Sequence, residues 1–206
     1  MIILKWFFLD GEKNGVGKTS IIKRILNNEF EESLSPIFQE ECSKTIILKT
    51  GYKVTLNFID TKDFNKNIDF ILLEIEESDF ILFIYDATRK DSFDGIKKIY
   101  NDIKDTFGKD KKIYLIGNKI DLYDKNKKDI LFGKNDVMKF AKQNNLRFFE
   151  ISCKENIDIK ELFADICYET IKISEKSEKS EGEKSYSLYL SSKEEPNISI
   201  AVCSIF

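Results

Sequence analysis

Apolar runs and amphipathic stripes alternate along the chain, and this alternation predicts strands and helices in turn. Strand-like runs, several of them apolar on both faces, occupy residues 3–9, 42–49, 53–59, 80–85, 113–116 and 147–151. Helix-like stripes begin near Lys18, Asp91 or Ser92, Asn135 or Asp136, and Asp158. Strands that alternate with helices indicate an α/β fold, in which helices cover both faces of a parallel sheet.

Other segments interrupt that alternation. A turn at residues 50–52 joins two strand-like runs, so these runs are predicted to pair as a β-hairpin. Residues 29–41 are predicted to be irregular, and residues 60–69 form a polar, switch-like stretch. From Ser174 the periodic pattern gives way to a run rich in serine, glutamate and lysine, which predicts a disordered tail over residues 174–206. One folded domain, residues 1–173, is expected to precede this tail.

Composition narrows the class of protein. The chain has 206 residues, enough for one such domain. Its net charge of −3 gives no reason to expect a nucleic-acid partner. Its four cysteines show no metal-ligand spacing, and the chain contains no histidine, so no zinc site is predicted. No run reaches the ~18 apolar residues of a transmembrane helix. The chain is therefore expected to be cytoplasmic, with reduced thiols.

The residues after the first strand carry the clearest chemistry. The stretch Asp10-Gly11-Glu12-Lys13-Asn14-Gly15-Val16-Gly17-Lys18-Thr19-Ser20 links an apolar strand to a helix. Backbone N–H groups of such a loop, at the positive end of a helix, form a site for phosphate oxygens. Lys18 would reach the outer phosphates and Thr19 would bind Mg²⁺. The P-loop pattern requires glycine where Glu12 stands, so the loop has a substitution or one extra residue. A lysine-rich turn that happens to contain glycines is the alternative.

Polar segments directly follow three other predicted strands, and they are Asp60-Thr61, Gly117-Asn118-Lys119-Ile120-Asp121 and Ser152-Cys153-Lys154. A carboxylate at Asp60 can hold Mg²⁺ through water. Asp121 can accept hydrogen bonds from N1–H and the 2-amino group of guanine, and adenine offers neither donor. A backbone N–H of the last segment can meet guanine O6. Because ligands of parallel sheets bind beyond the carboxyl ends of the strands, these segments are expected to meet the P-loop.

The Asn-Lys-x-Asp pattern occurs twice, at residues 118–121 and again at residues 126–129. The first copy directly follows a predicted strand, whereas the second lies in a polar stretch with no strand before it. A base-binding segment has to start at a strand end to meet the phosphate loop. The context therefore selects Asn118, Lys119 and Asp121 as the base-binding residues.

Taken in order, these motifs resemble those of the Ras-superfamily small GTPases, and among them most closely those of Rab proteins. Tyr85-Asp86-Ala87-Thr88 with Ser92-Phe93 also follows the family's spacing, and the resemblance covers residues 1 to about 173. It implies a P-loop NTPase fold, which is a three-layer sandwich with about five helices. Its six-stranded sheet would be mostly parallel, with one antiparallel edge strand.

The resemblance also implies a GTP hydrolase that acts as a GDP/GTP switch in vesicle trafficking. Effectors, exchange factors and chaperone proteins would be its partners, and Mg²⁺ its cofactor, held by Thr19 and, through water, by Asp60. Phe30 falls where the family has an aromatic ring whose edge meets guanine, although an ordinary core phenylalanine is the other interpretation. The implied nucleotide-binding residues are Asn14, Gly15, Val16, Gly17, Lys18, Thr19, Ser20, Phe30, Asn118, Lys119, Asp121, Ser152, Cys153 and Lys154.

The chain departs from the family in the segments that sense the γ-phosphate. After Asp60-Thr61 the family has Ala-Gly-Gln, whereas this chain has Lys62-Asp63-Phe64. Phe64 therefore stands where glutamine would orient the attacking water. Residues 33–41 contain no threonine to contact Mg²⁺ and the γ-phosphate, and Ser35 is the nearest substitute. Hydrolysis is therefore expected to be slow, unless flexible switch backbones compensate.

These departures leave a second class of function open, a pseudo-GTPase scaffold that binds guanine nucleotide without cycling. A third class, an ATP-using P-loop enzyme, is disfavoured by Asp121, because that carboxylate would find no donor on adenine. The intact base-recognition segments do not separate the GTPase from the pseudo-GTPase.

The chain ends in Cys203-Ser204-Ile205-Phe206, which fits a C-a-a-X prenylation signal whose terminal phenylalanine favours geranylgeranyl. A chance C-terminal cysteine is the alternative. A prenyl group on Cys203 would attach the protein to the cytosolic face of an endomembrane. The tail has no second cysteine beside Cys203, so attachment by one lipid is expected to be reversible.

Overall fold

The computed structural model describes residues 2–11, 15–31, 42–47, 53–60, 68–106, 111–122 and 134–180. Within these ranges the strands are β1 (Ile2–Asp10), β2 (Cys42–Ile47), β3 (Lys53–Asp60), β4 (Phe80–Asp86), β5 (Lys112–Asn118) and β6 (Arg147–Glu150). The α-helices are α1 (Lys18–Asn27), α2 (Ile68–Glu77), α3 (Lys90–Ile103), α4 (Lys134–Gln143) and α5 (Ile159–Ser180). Short 3₁₀ turns cover Lys104–Thr106 and Ile120–Leu122.

The six described strands form one sheet in the order β2-β3-β1-β4-β5-β6. β2 pairs antiparallel with β3 at the edge, and the other neighbouring strands of this sheet pair in parallel. This arrangement confirms the predicted α/β fold, including the mostly parallel sheet, the antiparallel edge strand and the five helices. Because β1, β3, β4, β5 and β6 run in the same direction, their carboxyl ends meet at one edge of the sheet.

Both faces of the sheet are buried, and β1 shows this most clearly. Trp6 and Phe8 pack with α1 and α5 on one side, whereas Phe7 and Leu9 pack with α2, α3 and α4 on the other. All four side chains are fully buried. Since successive residues of a strand point to opposite faces, a strand covered on both faces is a nearly continuous apolar run, and before Asp10 only Lys5 interrupts that run in β1. Trp6 is the only tryptophan of the chain, so its fluorescence reports on the integrity of this core.

Two helices begin earlier than the capping signals predict. α3 starts at Lys90 after Arg89, whose side chain makes no capping hydrogen bond, so neither Asp91 nor Ser92 is the cap. The Ser92 hydroxyl instead accepts a hydrogen bond from the backbone N–H of Asp86 at 3.0 Å, which ties α3 to the end of β4. α4 starts at Lys134, so the predicted caps Asn135 and Asp136 lie within the helix.

Two other helices depart from the periodic pattern. No amphipathic stripe predicts α2, and its start overlaps the polar, switch-like stretch at residues 60–69. Its Leu73 is 51% exposed, which blurs the contrast between an apolar and a polar face. α5 continues to Ser180, past the predicted domain boundary at residue 173. The rest of the predicted tail, residues 181–206, lies outside the described residues.

A buried carboxylate on α5 holds the opposite, amino-terminal edge of the sheet. Glu169 is 2% exposed, and its carboxylate lies 2.9 Å from Lys112 Nζ and 2.7 Å from an Arg147 guanidinium nitrogen. These two cations begin β5 and β6, and Lys172 of α5 adds a third contact at 3.1 Å. Burial alone would raise the pKa of Glu169, but the hydrogen bonds from Lys112 and Lys172 and the charge of Arg147 hold it below its ordinary value. The ionised carboxylate therefore stabilises the fold.

Replacing Glu169 by glutamine is expected to lower the free energy of unfolding at pH 7 by about 1–3 kcal/mol, because Lys112, Lys172 and Arg147 each lose a carboxylate partner. Of these three, Arg147 keeps a second carboxylate partner, Asp165. Since the pKa of Glu169 is depressed in the folded protein, this contribution is complete above its ordinary value of 4.5. It is lost as the pH falls through the lower folded value. Urea unfolding followed by Trp6 fluorescence at several pH values measures both effects. The exposed Glu161→Gln on the same helix is the control, and a deficit that grows in acid would contradict the prediction.

Candidate nucleotide site

Four polar side chains stand at the carboxyl ends of neighbouring strands. Asp10, Asp60, Asp86 and Asn118 end β1, β3, β4 and β5, respectively. The register pairs Phe8 of β1 with Asp60, and Asp86 of β4 with Asn118. Asp10, Asp86 and Asn118 are buried, at 5%, 3% and 2% exposure. The parallel sheet therefore brings these groups to one edge, beside the start of α1, as the sequence predicts.

The glycine loop reaches α1 through two residues in the left-handed region. Gly15 has φ 91° and Gly17 has φ 97°, conformations that a side chain disfavours. Gly17 is the N-cap of α1, and no side chain of the described residues makes a capping hydrogen bond there. The first N–H groups of α1 thus point out of the helix end without a side-chain cap, as an anion-binding terminus requires. Asn14, also predicted to bind nucleotide, lies outside the described residues.

Lys18 and Thr19 are both engaged by carboxylates of the strand ends. The Lys18 ammonium donates to Asp10 Oδ2, and the Thr19 hydroxyl donates to Asp60 Oδ2. Burial raises the pKa of Asp10 above its ordinary value, while Lys18 opposes this and the charge of Asp60 adds to it. Thr19 and Asp60 together offer the hard oxygen ligands that Mg²⁺ prefers, so the residues present fit that ion. Asp60 and Thr19 thus lie side by side, and their role towards Mg²⁺ stays a prediction. The Asp10 contact is not predicted by the motif.

Asn118 joins the phosphate loop to the segment after β6. Its amide nitrogen donates to the backbone oxygen of Val16 at 2.9 Å. Its amide oxygen accepts from the backbone N–H of Cys153 at 3.2 Å. A Cβ atom on Gly17 would lie 2.3 Å from the Asn118 amide nitrogen, so only glycine leaves room for this side chain. Three segments far apart in sequence are therefore held together by one buried amide.

Lys119 and Asp121 take up different positions around that amide. Lys119 has φ 71°, and its ammonium lies 2.8 Å from Asp86 Oδ2. Burial would raise the pKa of Asp86, but hydrogen bonds from Lys119 and Thr88 hold it below its ordinary value. Asp121 is half-buried in the 3₁₀ turn, and its Oδ1 accepts from the Ser152 hydroxyl at 2.5 Å. The predicted base-binding residues of both segments thus contact one another.

Arg24 of α1 binds the backbone of the same loop, and no sequence motif points to it. Its guanidinium donates to the carbonyl oxygens of Cys153 at 2.6 Å, Lys154 at 2.9 Å and Asn28 at 2.7 Å. The central carbon of the Arg24 guanidinium lies 5.8 Å from the centroid of the Phe30 ring. Phe30 is half-buried and packs against the core cluster that contains Trp6, so its position is compatible with either interpretation of this residue.

Several predicted features lie outside the described residues. They are Asn14, the switch residues Ser35, Lys62, Asp63 and Phe64, the second Asn-Lys-x-Asp copy at 126–129, and the lipidation residue Cys203. Among the described helices, none combines the length and apolar character needed to cross a membrane.

Comparison with known proteins relates the chain to one family. The family model described as Ras family matches residues 9–172. Ras-related protein Rab-21 of Mus musculus is 26% identical over 167 residues, which are 81% of this chain and 73% of that protein. Ras-related protein Rab-12 of Mus musculus is 30% identical over 160 residues, 77% of this chain and 64% of that protein. Ras-related protein RabZ of Dictyostelium discoideum is 29% identical over 155 residues, which are 74% of this chain and 66% of that protein.

Gly15 and Gly17 provide a matched pair of substitutions. Both have positive φ, but a Cβ atom meets Asn118 only at Gly17, and at Gly15 it meets no described atom within 4 Å. We expect Gly17→Ala to lower the free energy of unfolding by about 1–2 kcal/mol more than Gly15→Ala does. In an Asn118→Ala background this excess should disappear, because the clashing amide is gone. Urea unfolding of all the variants measures the difference, and equal losses at the two glycines would contradict the assignment.

Proposed function

The chain belongs to the Ras family, and on that premise we propose that it binds GDP and GTP with Mg²⁺ and acts as a membrane-attached switch in vesicle trafficking. As a Ras-family protein it is a GTP-hydrolysing small GTPase, and its relatives make it a divergent, Rab-like one. Rab-type effectors, exchange factors and chaperone proteins are its proposed partners.

The observation that carries the proposal is the contact of Asn118 with both the phosphate loop and the loop after β6. A guanine nucleotide has its phosphates at one end and its base at the other, so a binding site must fix the distance between two protein segments. The bonds of Asn118 to Val16 and Cys153 fix that distance in this chain. Because Asn118 is 2% exposed, neither bond competes with bulk water.

The base end of the site supports guanine over adenine. Asp121 lies beside Ser152, whose hydroxyl orients its carboxylate, and Lys119 is held by Asp86. An oriented carboxylate can accept from both N1–H and the 2-amino group of guanine. Adenine would leave the same carboxylate without a donor, which disfavours ATP.

At the phosphate end, the left-handed glycines and the start of α1 would receive the phosphate oxygens, and Lys18 would bind the outer phosphates. Thr19 and Asp60 would hold Mg²⁺, which supplies positive charge against the phosphates. Slow hydrolysis is proposed from the sequence, because Phe64 stands where the family has the water-orienting glutamine, and Asp63, where the family has glycine, would bring a negative charge towards the γ-phosphate.

Nucleotide affinity and single-turnover hydrolysis with the full chain test this function. GDP and GTP should bind tightly in magnesium and ATP weakly, and GTP turnover should be slow. Asp121→Ala should weaken GDP binding about 100-fold or more, because guanine loses its charged acceptor. The exposed Asp102→Ala on α3 should leave GDP binding unchanged. Absence of guanine-nucleotide binding by the folded protein would refute the proposal.

Restoring the family residues tests the cause of slow hydrolysis. The double substitution Asp63→Gly, Phe64→Gln should raise single-turnover GTP hydrolysis at least about tenfold, since a positioned water-orienting group can contribute two or more orders of magnitude. Faster turnover in the double variant would identify these two residues as the block. Tight GDP binding with no GTP turnover in either protein would favour the pseudo-GTPase scaffold instead.

Membrane attachment is proposed through a prenyl group on Cys203. Incubation with geranylgeranyl diphosphate and the matching transferase should add one lipid to the full chain and none to Cys203→Ser. The lipidated protein should bind vesicles reversibly, because one chain anchors only marginally. Unchanged membrane partitioning of Cys203→Ser in cells would exclude this mode of attachment. Cys153 is an internal control, since burial raises the pKa of its thiol to about 12 and keeps it unreactive.

A further inference from the structure

Asp10 forms a buried ion pair with the lysine that is proposed to bind the outer phosphates. The side chains of Asp10 and Lys18 are 6% and 8% exposed, and the ammonium donates directly to Asp10 Oδ2. A buried carboxylate in contact with a buried ammonium is one of the stronger interactions available to a side chain. Lys18 is therefore already bound to an anion that belongs to the chain.

The backbone beside Asp10 is held in place, so its carboxylate cannot move away by a shift of the strand end. Asp10 is paired in register with Ile84 of β4. The next residue, Gly11, packs against the backbone of α3, and a Cβ atom on Gly11 would lie 2.5 Å from the carbonyl carbon of Gly95. A Cβ atom on Gly95 would in turn lie 2.9 Å from the Gly11 Cα atom. This backbone contact fixes the end of β1 on one side while β4 fixes it on the other.

Asp10 also adds to a negative field where phosphates are expected. The Asp60 carboxylate is close enough for its charge to act on Asp10, and Asp60 itself accepts from the Thr19 hydroxyl. A phosphate that approaches Lys18 must displace or share the Asp10 contact, and it meets the repulsion of that carboxylate as well. Both effects weaken binding of the outer phosphates relative to a site without Asp10.

We propose that Asp10 is a specificity-determining residue, which competes with the outer phosphates for Lys18 and so lowers affinity for nucleoside di- and triphosphates without affecting the base end. This inference rests on the proposed function of the site as a guanine-nucleotide site. Its consequence is a smaller gain in affinity from each phosphate beyond the first, and faster release of GDP. Asp10 thereby makes nucleotide exchange easier in a chain that lacks the usual γ-phosphate sensors.

Removing the charge while keeping the shape of Asp10 tests the proposal. The full chain and Asp10→Asn are compared for the affinity and dissociation rate of fluorescent GDP and GMP in magnesium. Asp10→Asn should bind GDP about tenfold more tightly and release it correspondingly more slowly, because Lys18 no longer has a competing anion. GMP affinity should change less than about twofold, since Lys18 reaches phosphates beyond the first. The exposed Asp102→Asn removes the same charge from α3 and should change neither.

A second variant separates competition from loss of structure. Asp10→Ser removes the charge and leaves space for water beside Lys18, and it should also raise the ratio of GDP to GMP affinity. Trp6 fluorescence during urea unfolding shows whether each variant is folded. If folded Asp10→Asn and Asp10→Ser bind GDP no more tightly than the parent, Asp10 only positions Lys18 and the inference is wrong, although the proposed function stands. If neither the parent nor the variants bind GDP, the proposed function and the inference are both wrong.

Discussion

The buried amide of Asn118 is the contact on which the candidate site depends. It donates to Val16 in the phosphate loop and accepts from the backbone of Cys153, and these segments are separated by most of the domain in sequence. The close approach is possible because Gly17 has no Cβ and adopts a left-handed conformation. Arg24 supports the same arrangement from the other side, by bonding the carbonyl of Cys153. The distance between the phosphate loop and the loop after β6 is thus fixed by contacts within the protein itself.

Much of the fold could be predicted because strands buried on both faces produce continuous apolar runs. β1 and β4 are such strands, and both were visible in the hydrophobic pattern alone. The starts of α3 and α4 were predicted less well, because capping rules assume that a helix end is satisfied by its own side chain. α3 has arginine at its cap, and Ser92 instead binds the end of β4. α2 gave no clear stripe, since its Leu73 is exposed although Ile71 and Ile75 are buried.

The site was predictable to the extent that topology alone determines it. Parallel strands end at one edge, so Asp60 and Asn118 could be placed together before their contacts were known. Arg24 could not be placed at the site in this way, because its partner Cys153 is brought near only by the packing of α1 against the loop after β6. The contact between Asp10 and Lys18 could not be predicted for a related reason. The loop motif describes what Lys18 binds in a nucleotide complex, and it gives no role to the carboxylate of Asp10 at the end of β1.

The two ends of the site differ in what a ligand would have to replace. At the base end, Asn118 bonds backbone groups and Asp121 accepts from the Ser152 hydroxyl. These bonds can remain when a base binds, because a carboxylate has further acceptor positions. At the phosphate end, Lys18 already donates to Asp10, so a phosphate that binds Lys18 has to displace or share an anionic partner. Under the proposed function, a bound base would add its affinity to an unchanged framework, whereas the affinity gained from the outer phosphates would be a difference between two similar interactions. On the proposed function, specificity for guanine would come from the rigid base end, and ease of exchange would come from the competition of Asp10 for Lys18.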